Sequence, residues 1–195
     1  MPKKIEQFNI IIVGTGGQGL ITLLQIIAEA SLAEGYDVRT SELHGLSQRG
    51  GSVEVHVRFG KKIYSPLASA ARADLILGLE MQECLGAVYF ANPKTNFLIN
   101  KYIIPIPLQK SLSDNQILST LKKISKNINL VPAAEICQKE FGTNVVAGIY
   151  LLSRASFRNL IPLKPNSILK AIKEVIPEKY LKLNQKTFDL AERAH

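Results

Sequence analysis

A glycine-rich hexapeptide near the start of the chain has the spacing of an anion-binding turn. Residues 14–19 read Gly-Thr-Gly-Gly-Gln-Gly, which matches G-x-G-x-x-G, and they lie between an apolar run and a helical pattern. Glycines let the backbone turn tightly and approach a ligand closely, and the first N–H groups of the next helix favour a negative charge. The residues predicted to bind an anion or phosphate are Gly14, Gly16, Gly17, Gln18, Gly19 and Thr22. A bare strand-to-helix turn is the alternative.

An acidic residue gives this turn a second interpretation. In dinucleotide-binding folds an acidic residue at the end of the second strand holds the ribose hydroxyls, and Glu42 occupies that place. A stand-alone NAD(P)-binding oxidoreductase is therefore an alternative function. Against it, Gln18 and Thr22 are polar groups that a dinucleotide fold does not require, and the loop after Glu42 is unlike a Rossmann continuation.

The loop of residues 42–51 carries further polar groups on a glycine-supported backbone. It should lie at the C-terminal edge of the predicted sheet, where ligands collect in open α/β folds. Arg49 could clamp a phosphate or carboxylate with two parallel hydrogen bonds or contact another subunit, and His44 could titrate near neutral pH or donate to an oxyanion. His44 and Arg49 are the candidate catalytic residues, and Gln48 is a candidate cofactor-binding residue. Simple structural support is the alternative for His44 and Arg49.

Composition indicates one globular domain without a metal site of its own. The chain has 195 residues, of which 46% are hydrophobic, enough for one sizeable core. Cys84 and Cys137 are far apart and form no CxxC pattern, which argues against a disulfide scaffold, a zinc site or an iron–sulfur cluster held by this chain. A signal peptide and the roughly 20 apolar residues of a membrane helix are not recognisable, so we expect a cytoplasmic protein.

The chain is basic, and the excess charge is uneven. The net charge is +8, and residues 101–195 hold the surplus with 15 basic and seven acidic residues. A face for nucleic acid or a phosphate-bearing ligand is one interpretation. A solvated, lysine-rich surface is favoured, because neither an aromatic RNA-binding platform nor a helix-turn-helix pattern accompanies the charge.

Hydrophobic periodicity predicts how the first half of the chain positions these groups. A buried strand over 8–14, a helix over 19–34 closed by Gly35, and a strand over 38–41 make a parallel β-α-β opening. Residues 52–59 alternate, with Glu54, His56 and Arg58 on a polar face where surface roles are expected, and Ile63 begins a return strand. This hairpin would make the sheet mixed.

The second half continues the alternation of strands and helices. Strands are predicted over 74–79, 97–100 and 128–131, and helices over 80–90, 114–127 with Asp114 as cap, 132–141, 143–157, 166–175 and 178–193. The predicted fold is therefore a three-layer α/β/α domain spanning 1–195. It has a mostly parallel, mixed sheet with a Rossmann-like opening, and a helical C-terminal extension from about residue 143.

The motifs together resemble the gamma subunit or domain of 2-oxoacid:ferredoxin oxidoreductases. Their residues favour the indolepyruvate (aryl-pyruvate) branch of that family, whose small subunit is called beta. The motifs that carry the resemblance are Gly14–Gly19 with Thr22, Glu42-Leu-His44-Gly, Gln48-Arg-Gly-Gly51-Ser-Val, His56–Gly60, Ser65-Pro66, Ala73–Leu75, Gly78–Glu80 with Glu83, Asn144, Ala147-Gly148, Asn184 and Phe188. The match spans most of the chain and is weakest over residues 100–140.

This resemblance implies a reaction completed by another chain. The sequence has no G-x-S-x-G elbow, Walker A lysine, HExxH helix or thiamine diphosphate motif of its own. The family decarboxylates a 2-oxoacid on thiamine diphosphate, passes electrons through [4Fe-4S] clusters to ferredoxin, and transfers the acyl group to coenzyme A. Thiamine and clusters belong mainly to the large alpha subunit, and the glycine loop is a plausible contact for coenzyme A. A non-catalytic partner-binding scaffold is a further alternative, and self-association of the isolated chain stays open.

Overall fold

Strands and helices alternate along the chain, and the computed structural model describes residues 5–45, 51–105 and 112–194. The strands are β1 (Gln7–Thr15), β2 (Asp37–His44), β3 (Ser52–Gly60), β4 (Leu75–Gly78), β5 (Asn96–Asn100) and β6 (Ile128–Val131). The α-helices are α1 (Leu20–Ala33), α2 (Asp114–Lys122), α3 (Ala133–Phe141), α4 (Ala147–Phe157), α5 (Pro165–Val175) and α6 (Glu178–Arg193). A 3₁₀ helix covers Glu83–Phe90.

The strands of the described residues form one mixed sheet in the order β2-β3-β1-β4-β5-β6. β1, β4, β5 and β6 pair in parallel, whereas β3 runs antiparallel to both of its neighbours, β1 and β2. β1 and β2 therefore point the same way, as the β-α-β prediction requires, but β3 lies between them. The Rossmann-like opening is modified in this respect.

Helices cover both faces of the sheet, which confirms the predicted three-layer α/β/α fold. α1 and the helices from α3 to α6 share one apolar core with the sheet, while the 3₁₀ helix and α2 cover the other face. β1 contributes to both cores, because Ile10 and Ile12 point to the first and Ile11 and Val13 to the second. A continuous apolar run is what such a doubly buried central strand requires.

The C-terminal helices complete the core around α1. Gly148, near the start of α4, allows the two helices to approach closely, since a Cβ there would lie 3.1 Å from Leu23 Cδ1. α1 ends as predicted: Gly35 has a φ of 80°, and the N–H of Tyr36 donates to the carbonyl of Ser31 in a Schellman arrangement. Within the described ranges, every helix is too short or too polar to cross a membrane.

Two predictions about the middle of the chain are wrong. The return strand from Ile63 does not form, because residues 62–65 have no regular structure and β3 makes its hairpin with the preceding strand, β2. The helix predicted over 80–90 is a shorter 3₁₀ helix. The alternation of β3 identified its two faces correctly, but alternation does not identify the pairing partner.

The predicted cap of α2 is also wrong, by one residue. Ser113, not Asp114, is the N-cap: its side chain accepts the N–H of Gln116, and the Gln116 side chain accepts the N–H of Ser113. This capping box satisfies two otherwise unpaired N–H groups at once. α2 also ends at Lys122, earlier than its amphipathic pattern predicts.

The polar face of β3 is covered, so the predicted surface roles of His56 and Arg58 are wrong. His56 is only 1% exposed, and its Nδ1 accepts the N–H of Ala68 at 3.1 Å. Arg58 is half-buried and donates to the carbonyl of Leu67 at 2.9 Å. The irregular segment 61–73 supplies both contacts by packing over this face.

Candidate functional site

The glycine loop, residues 14–19, joins the end of β1 to α1 as predicted. Gly17 and Gly19 have φ angles of 96° and 78°, in the left-handed region that residues with a Cβ rarely adopt. Gly19 is also the N-cap residue of α1, and no side chain caps that helix. The N–H groups in the first turn of α1 therefore lack a side-chain acceptor.

The side chain of Gln18 folds back over the glycine loop. Its Oε1 accepts the N–H of Thr15 at 2.8 Å, and its Nε2 lies 3.5 Å from the carbonyl oxygen of Leu79. A Cβ on Gly14 would stand 2.6 Å from Gln18 Oε1, so a side chain at position 14 would displace the glutamine. Gly14 thus makes room for Gln18, and both shape the loop from within.

The loop between β2 and β3 begins and ends beside the glycine loop. The N–H of Gly16 donates to the carbonyl of Gly51 at 3.0 Å, and Thr15 pairs with Ser52 at the end of the β1–β3 ladder. The N–H of Gly45 donates to the carbonyl of Ser52 at the other end of the loop. The two chain segments predicted to form one site therefore meet at the C-terminal edge of the sheet.

Three predicted site residues belong to that second loop or its border. His44 is the last residue of β2, and Gln48 and Arg49 lie outside the described residues. The ligand contacts of Gln48 and Arg49 stay predictions.

A cleft of about 290 Å³ opens at this edge of the sheet, and we call it the anion cleft. Its walls are the glycine loop, Leu79 and Asn100 at the ends of β4 and β5, and Ala134 and Ala147 in the first turns of α3 and α4. The carboxyl ends of parallel strands are the usual place for ligands in open α/β sheets. The cleft therefore lies at the edge of the sheet where the sequence predicts a site, and ligand binding there stays a prediction.

The first turns of α3 and α4 and the loop that leads into α1 line the anion cleft. α1 and α4 have no side-chain cap and no acidic residue in the first turn. α3 has Glu135 in its first turn, and the side chain of Asn100 accepts the N–H of Ala134 there. Each helix N-terminus carries about half a positive elementary charge, and the described lining includes no charged side chain.

A second cleft of about 550 Å³ adjoins the first and shares the glycine loop and Val145 with it. It runs between α1, α4 and the turn from α5 to α6, and its walls are mostly apolar. Thr22 lines this second cleft rather than the anion cleft, as does the buried amide of Asn184. An apolar groove with a few polar groups suits the body of a larger ligand.

Glu42 does not occupy the place that NAD binding requires. It pairs with Val55 of β3, and β3 separates it from β1. With strands about 4.8 Å apart, its backbone lies about 10 Å from β1, twice the distance in a dinucleotide fold. Neither cleft is lined by Glu42, so the NAD alternative loses its geometric support.

The sequence patterns did not identify Asn100 as a site residue. They identified Asn144 only as one of the residues that carry the resemblance to the family. Asn100 ends the apolar strand β5, and Asn144 precedes α4 and lines the anion cleft. A polar residue directly after a buried strand was the available signal for Asn100, because such positions reach the ligand edge. Asn144 offered no local signal, since its place depends on how α4 packs.

A buried carboxylate supports one wall of the anion cleft. Glu80 is 1% exposed and accepts the N–H groups of Glu83 and Ile104 at 2.9 and 3.1 Å. Burial raises the pKa of Glu80, and these hydrogen bonds oppose that shift. Because Ile104 lines the cleft, Glu80 holds that wall in place.

The cysteines do not fit a metal or cluster site. Cys84 and Cys137 are buried, and burial raises the pKa of Cys137 to about 11 and also raises that of Cys84. Metals bind the thiolate, which burial disfavours. In the part of the chain that the structure describes, no three His, Cys, Asp or Glu side chains lie together as a metal would need.

Comparison with known proteins assigns most of the chain to one family. The model of the family described as pyruvate ferredoxin/flavodoxin oxidoreductase matches residues 9–194. The chain is 35% identical over 192 residues to indolepyruvate oxidoreductase subunit IorB of Archaeoglobus fulgidus, covering 94% of this chain and 93% of that protein. It is 32% identical over 195 residues to the subunit of the same name from Thermococcus kodakarensis, covering 97% and 96%.

A solved structure shares the fold within a longer chain. The protein is similar to 2-oxoglutarate:ferredoxin oxidoreductase from Magnetococcus marinus, solved with 2-oxoglutarate, coenzyme A and succinyl-CoA bound, with a TM-score of 0.73 and 19% identity. The similarity covers 97% of this chain and 32% of the other. In that protein the same fold is therefore one part of a larger polypeptide.

Proposed function

This chain belongs to the pyruvate ferredoxin/flavodoxin oxidoreductase family, and we propose that it is the small subunit of a 2-oxoacid:ferredoxin oxidoreductase acting on indolepyruvate or a related aryl-pyruvate. The reaction releases carbon dioxide from the 2-oxoacid, passes two electrons to ferredoxin, and joins the acyl group to the thiol of coenzyme A. The indolepyruvate assignment is supported by the names of the two archaeal relatives, each matched over nearly its whole length. The chain is not active alone in this function.

The observation that carries the proposal is a cleft at the C-terminal edge of the sheet, where the glycine loop meets the end of the β2–β3 loop. The first turns of α3 and α4 and the loop that leads into α1 line it, and helix N-termini bind phosphate groups. Coenzyme A is the phosphate-bearing substrate of this reaction, so the anion cleft would hold its phosphates. The adjoining apolar cleft, which Thr22 lines, would receive another part of the molecule.

Two residues of the second loop complete the proposed site. Arg49 would clamp a phosphate with two parallel hydrogen bonds, and Gln48 would donate beside it.

His44 would carry a proton or donate to an oxyanion at the reaction centre shared with the partner. A His44→Gln variant of the assembled enzyme should lower kcat at every pH, because glutamine cannot carry the proton; an unchanged pH profile and kcat would exclude a chemical role.

The proposed partner is a larger alpha subunit. Thiamine diphosphate and [4Fe-4S] clusters on that subunit would supply decarboxylation and electron transfer to ferredoxin. The described residues of this chain offer no ligand set for a cluster, and its two buried thiols suit a reducing cytoplasm. The test is co-purification: a tagged copy should capture a large polypeptide containing iron, acid-labile sulfide and thiamine. Capture of a protein without them would leave only a scaffold role.

A titration of coenzyme A into the assembled enzyme tests the cleft assignment. The Arg49→Ala variant should weaken binding about tenfold, which corresponds to about 1.4 kcal/mol. Arg72→Ala is the matched control, because Arg72 is exposed and lines a separate pocket away from the anion cleft. Equal affinity in wild type and the Arg49 variant would remove Arg49 from the site. Turnover with indolepyruvate and with pyruvate then tests the substrate branch.

A further inference from the structure

We propose that Asn100 is a positioning residue that sets the geometry of the anion cleft, an inference that rests on the proposed role of this cleft. Asn100 is the last residue of β5 and is 2% exposed. Its Nδ2 donates to the carbonyl of Leu79 and its Oδ1 accepts the N–H of Ala134, both at 3.1 Å. One side-chain amide therefore joins the end of β4 to the first turn of α3.

The orientation of the Asn100 carboxamide is fixed by these partners. A backbone N–H only donates and a backbone carbonyl only accepts, so the amide oxygen must face Ala134 and the amide nitrogen must face Leu79. An aspartate at position 100 would still accept the N–H of Ala134, but it would place an acceptor against the Leu79 carbonyl. An alanine would leave the Ala134 N–H without its acceptor and the Leu79 carbonyl with only the long hydrogen bond from Gln18.

The carbonyl of Leu79 links Asn100 to the glycine loop. Gln18 Nε2 lies 3.5 Å from that oxygen, and Gln18 Oε1 accepts the N–H of Thr15 at 2.8 Å. Hydrogen bonds thus run from Thr15 through Gln18, Leu79 and Asn100 to Ala134, and each of these residues lines the anion cleft. This path couples the N-terminus of α3 to the N-terminus of α1.

Asn100 acts through the backbone groups that it holds. α3 has Pro132 at its N-cap position and no side-chain cap, so the amide oxygen of Asn100 takes the place of a local cap. Without it, the first turn of α3 loses its attachment to the strand edge. The spacing between the first turn of α3 and the glycine loop then changes, and a phosphate fits less well in the cleft.

Amide chemical shifts of the full-length, ¹⁵N-labelled chain test the coupling without any ligand. Asn100→Ala should shift the amide signals of both Ala134 and Thr15, although the Thr15 N–H is bonded to Gln18 and not to Asn100. Asn100→Asp should leave the Ala134 amide bonded and shift Thr15. The matched control is Asn96→Ala, at the other end of β5 and half-buried, which should move neither. An unchanged Thr15 amide in Asn100→Ala refutes the coupling.

Steady-state kinetics of the assembled enzyme test the consequence. Asn100→Ala should raise KM for coenzyme A about tenfold, the effect of losing about 1.4 kcal/mol of binding. It should leave kcat within about twofold, because the lost interaction stabilises the bound substrate and the transition state equally. An unchanged KM overturns the proposed effect on the cleft. If Arg49→Ala and Gly19→Ala also leave coenzyme A affinity unchanged, the proposed coenzyme A role of the cleft fails, while the Thr15 shift still decides the coupling.

Discussion

At the N-terminal edge of the parallel strands, Asn9, Arg58 and Asp74 form a closed network, whereas at the C-terminal edge the glycine loop meets a cleft. Asn9 Oδ1 accepts from Arg58 Nε at 2.9 Å, Asn9 Nδ2 donates to the carbonyl of Arg72, and the Asn9 N–H donates to Asp74. Side chains and backbone satisfy each other there. At the opposite edge α1 and α4 have no side-chain cap, and the first turn of α3 is held by Asn100.

The difference separates structural polar groups from groups available to a ligand. The pocket at the N-terminal edge contains more polar side chains than the anion cleft, including Arg58 and Arg72. Its central groups are already paired within the chain, so they stabilise the fold. In the anion cleft the side chains of Gln18 and Asn100 are paired with backbone, and the described lining holds no charged side chain. Changes at the two edges should therefore have different effects.

The largest expected effect is on stability, at the N-terminal edge. Arg58→Ala removes hydrogen bonds to Asn9 and to the carbonyls of Ser65 and Leu67. We expect the free energy of unfolding to fall by about 3 kcal/mol, since hydrogen bonds to a charged group are strong and unpaired partners remain. Urea unfolding of the full-length chain measures this loss.

The control for this variant is Arg72→Ala. Arg72 is exposed beside the same network, and its removal should change the free energy of unfolding by less than about 0.5 kcal/mol. Coenzyme A affinity of the assembled enzyme should be unchanged in both variants. A specific loss of coenzyme A binding in Arg58→Ala would mean that the two edges are not functionally separate.

The second prediction uses matched glycines to separate backbone cost from ligand binding. Gly19 and Gly142 have φ angles of 78° and 71°, and a Cβ on either would meet nothing within 4 Å. Alanine at either position should therefore destabilise the chain by about 1–2 kcal/mol through left-handed backbone strain alone. Thermal unfolding should show similar losses for both variants.

Only the Gly19 variant should affect the ligand. Gly19 is the N-cap of α1 and lies beside the clefts, whereas Gly142 is the C-cap of α3, at the end of that helix away from the anion cleft. Relaxation of the strained backbone would redirect the first N–H groups of α1, and calorimetry should show a roughly tenfold weaker binding of coenzyme A. If Gly142→Ala weakens binding equally, general destabilisation explains the loss and the glycine loop has no special part.

Local sequence patterns predicted the parts of the fold that depend on neighbouring residues. The strand, glycine loop and helix over residues 7–33 follow from apolar periodicity and glycine chemistry, both of which are local. The burial of His56 depends on segment 61–73, whose irregular course has no periodic signature. The pairing of β3 with β1 depends on the order of strands in the sheet. Alternation shows that a strand has two faces and does not show what covers them.

The same limit applies to the site. The glycine loop and its meeting with the β2–β3 loop could be predicted, because both follow strands that end at one edge of the sheet. The path through Gln18, Leu79, Asn100 and Ala134 could not, because its members come from separate strands and helices. Their contact depends on the order of strands in the sheet, which sequence periodicity does not determine.

The smallest expected effect concerns pH and the closed network. Burial raises the pKa of Asp74 above its ordinary value of 3.8, and the hydrogen bond from the Asn9 N–H only partly opposes this. A carboxyl with a raised folded pKa contributes most to stability below its unfolded pKa, and the contribution is lost as pH rises through the folded value. Wild type should therefore lose stability relative to Asp74→Asn as the pH rises from below 3.8 through the raised pKa of Asp74, since the amide of the variant can still accept the Asn9 N–H.

Because water screens a half-buried carboxyl, we expect the relative change to stay under about 1 kcal/mol. Urea unfolding of both proteins at several pH values measures it, and Asp189→Asn on the exposed face of α6 is the control for loss of an aspartate. Coenzyme A affinity should be the same in Asp74→Asn and wild type. If the difference in free energy of unfolding between wild type and Asp74→Asn is constant with pH, the pKa of Asp74 is the same in the folded and unfolded chains. The folded protein would then stabilise the Asp74 carboxylate as well as water does.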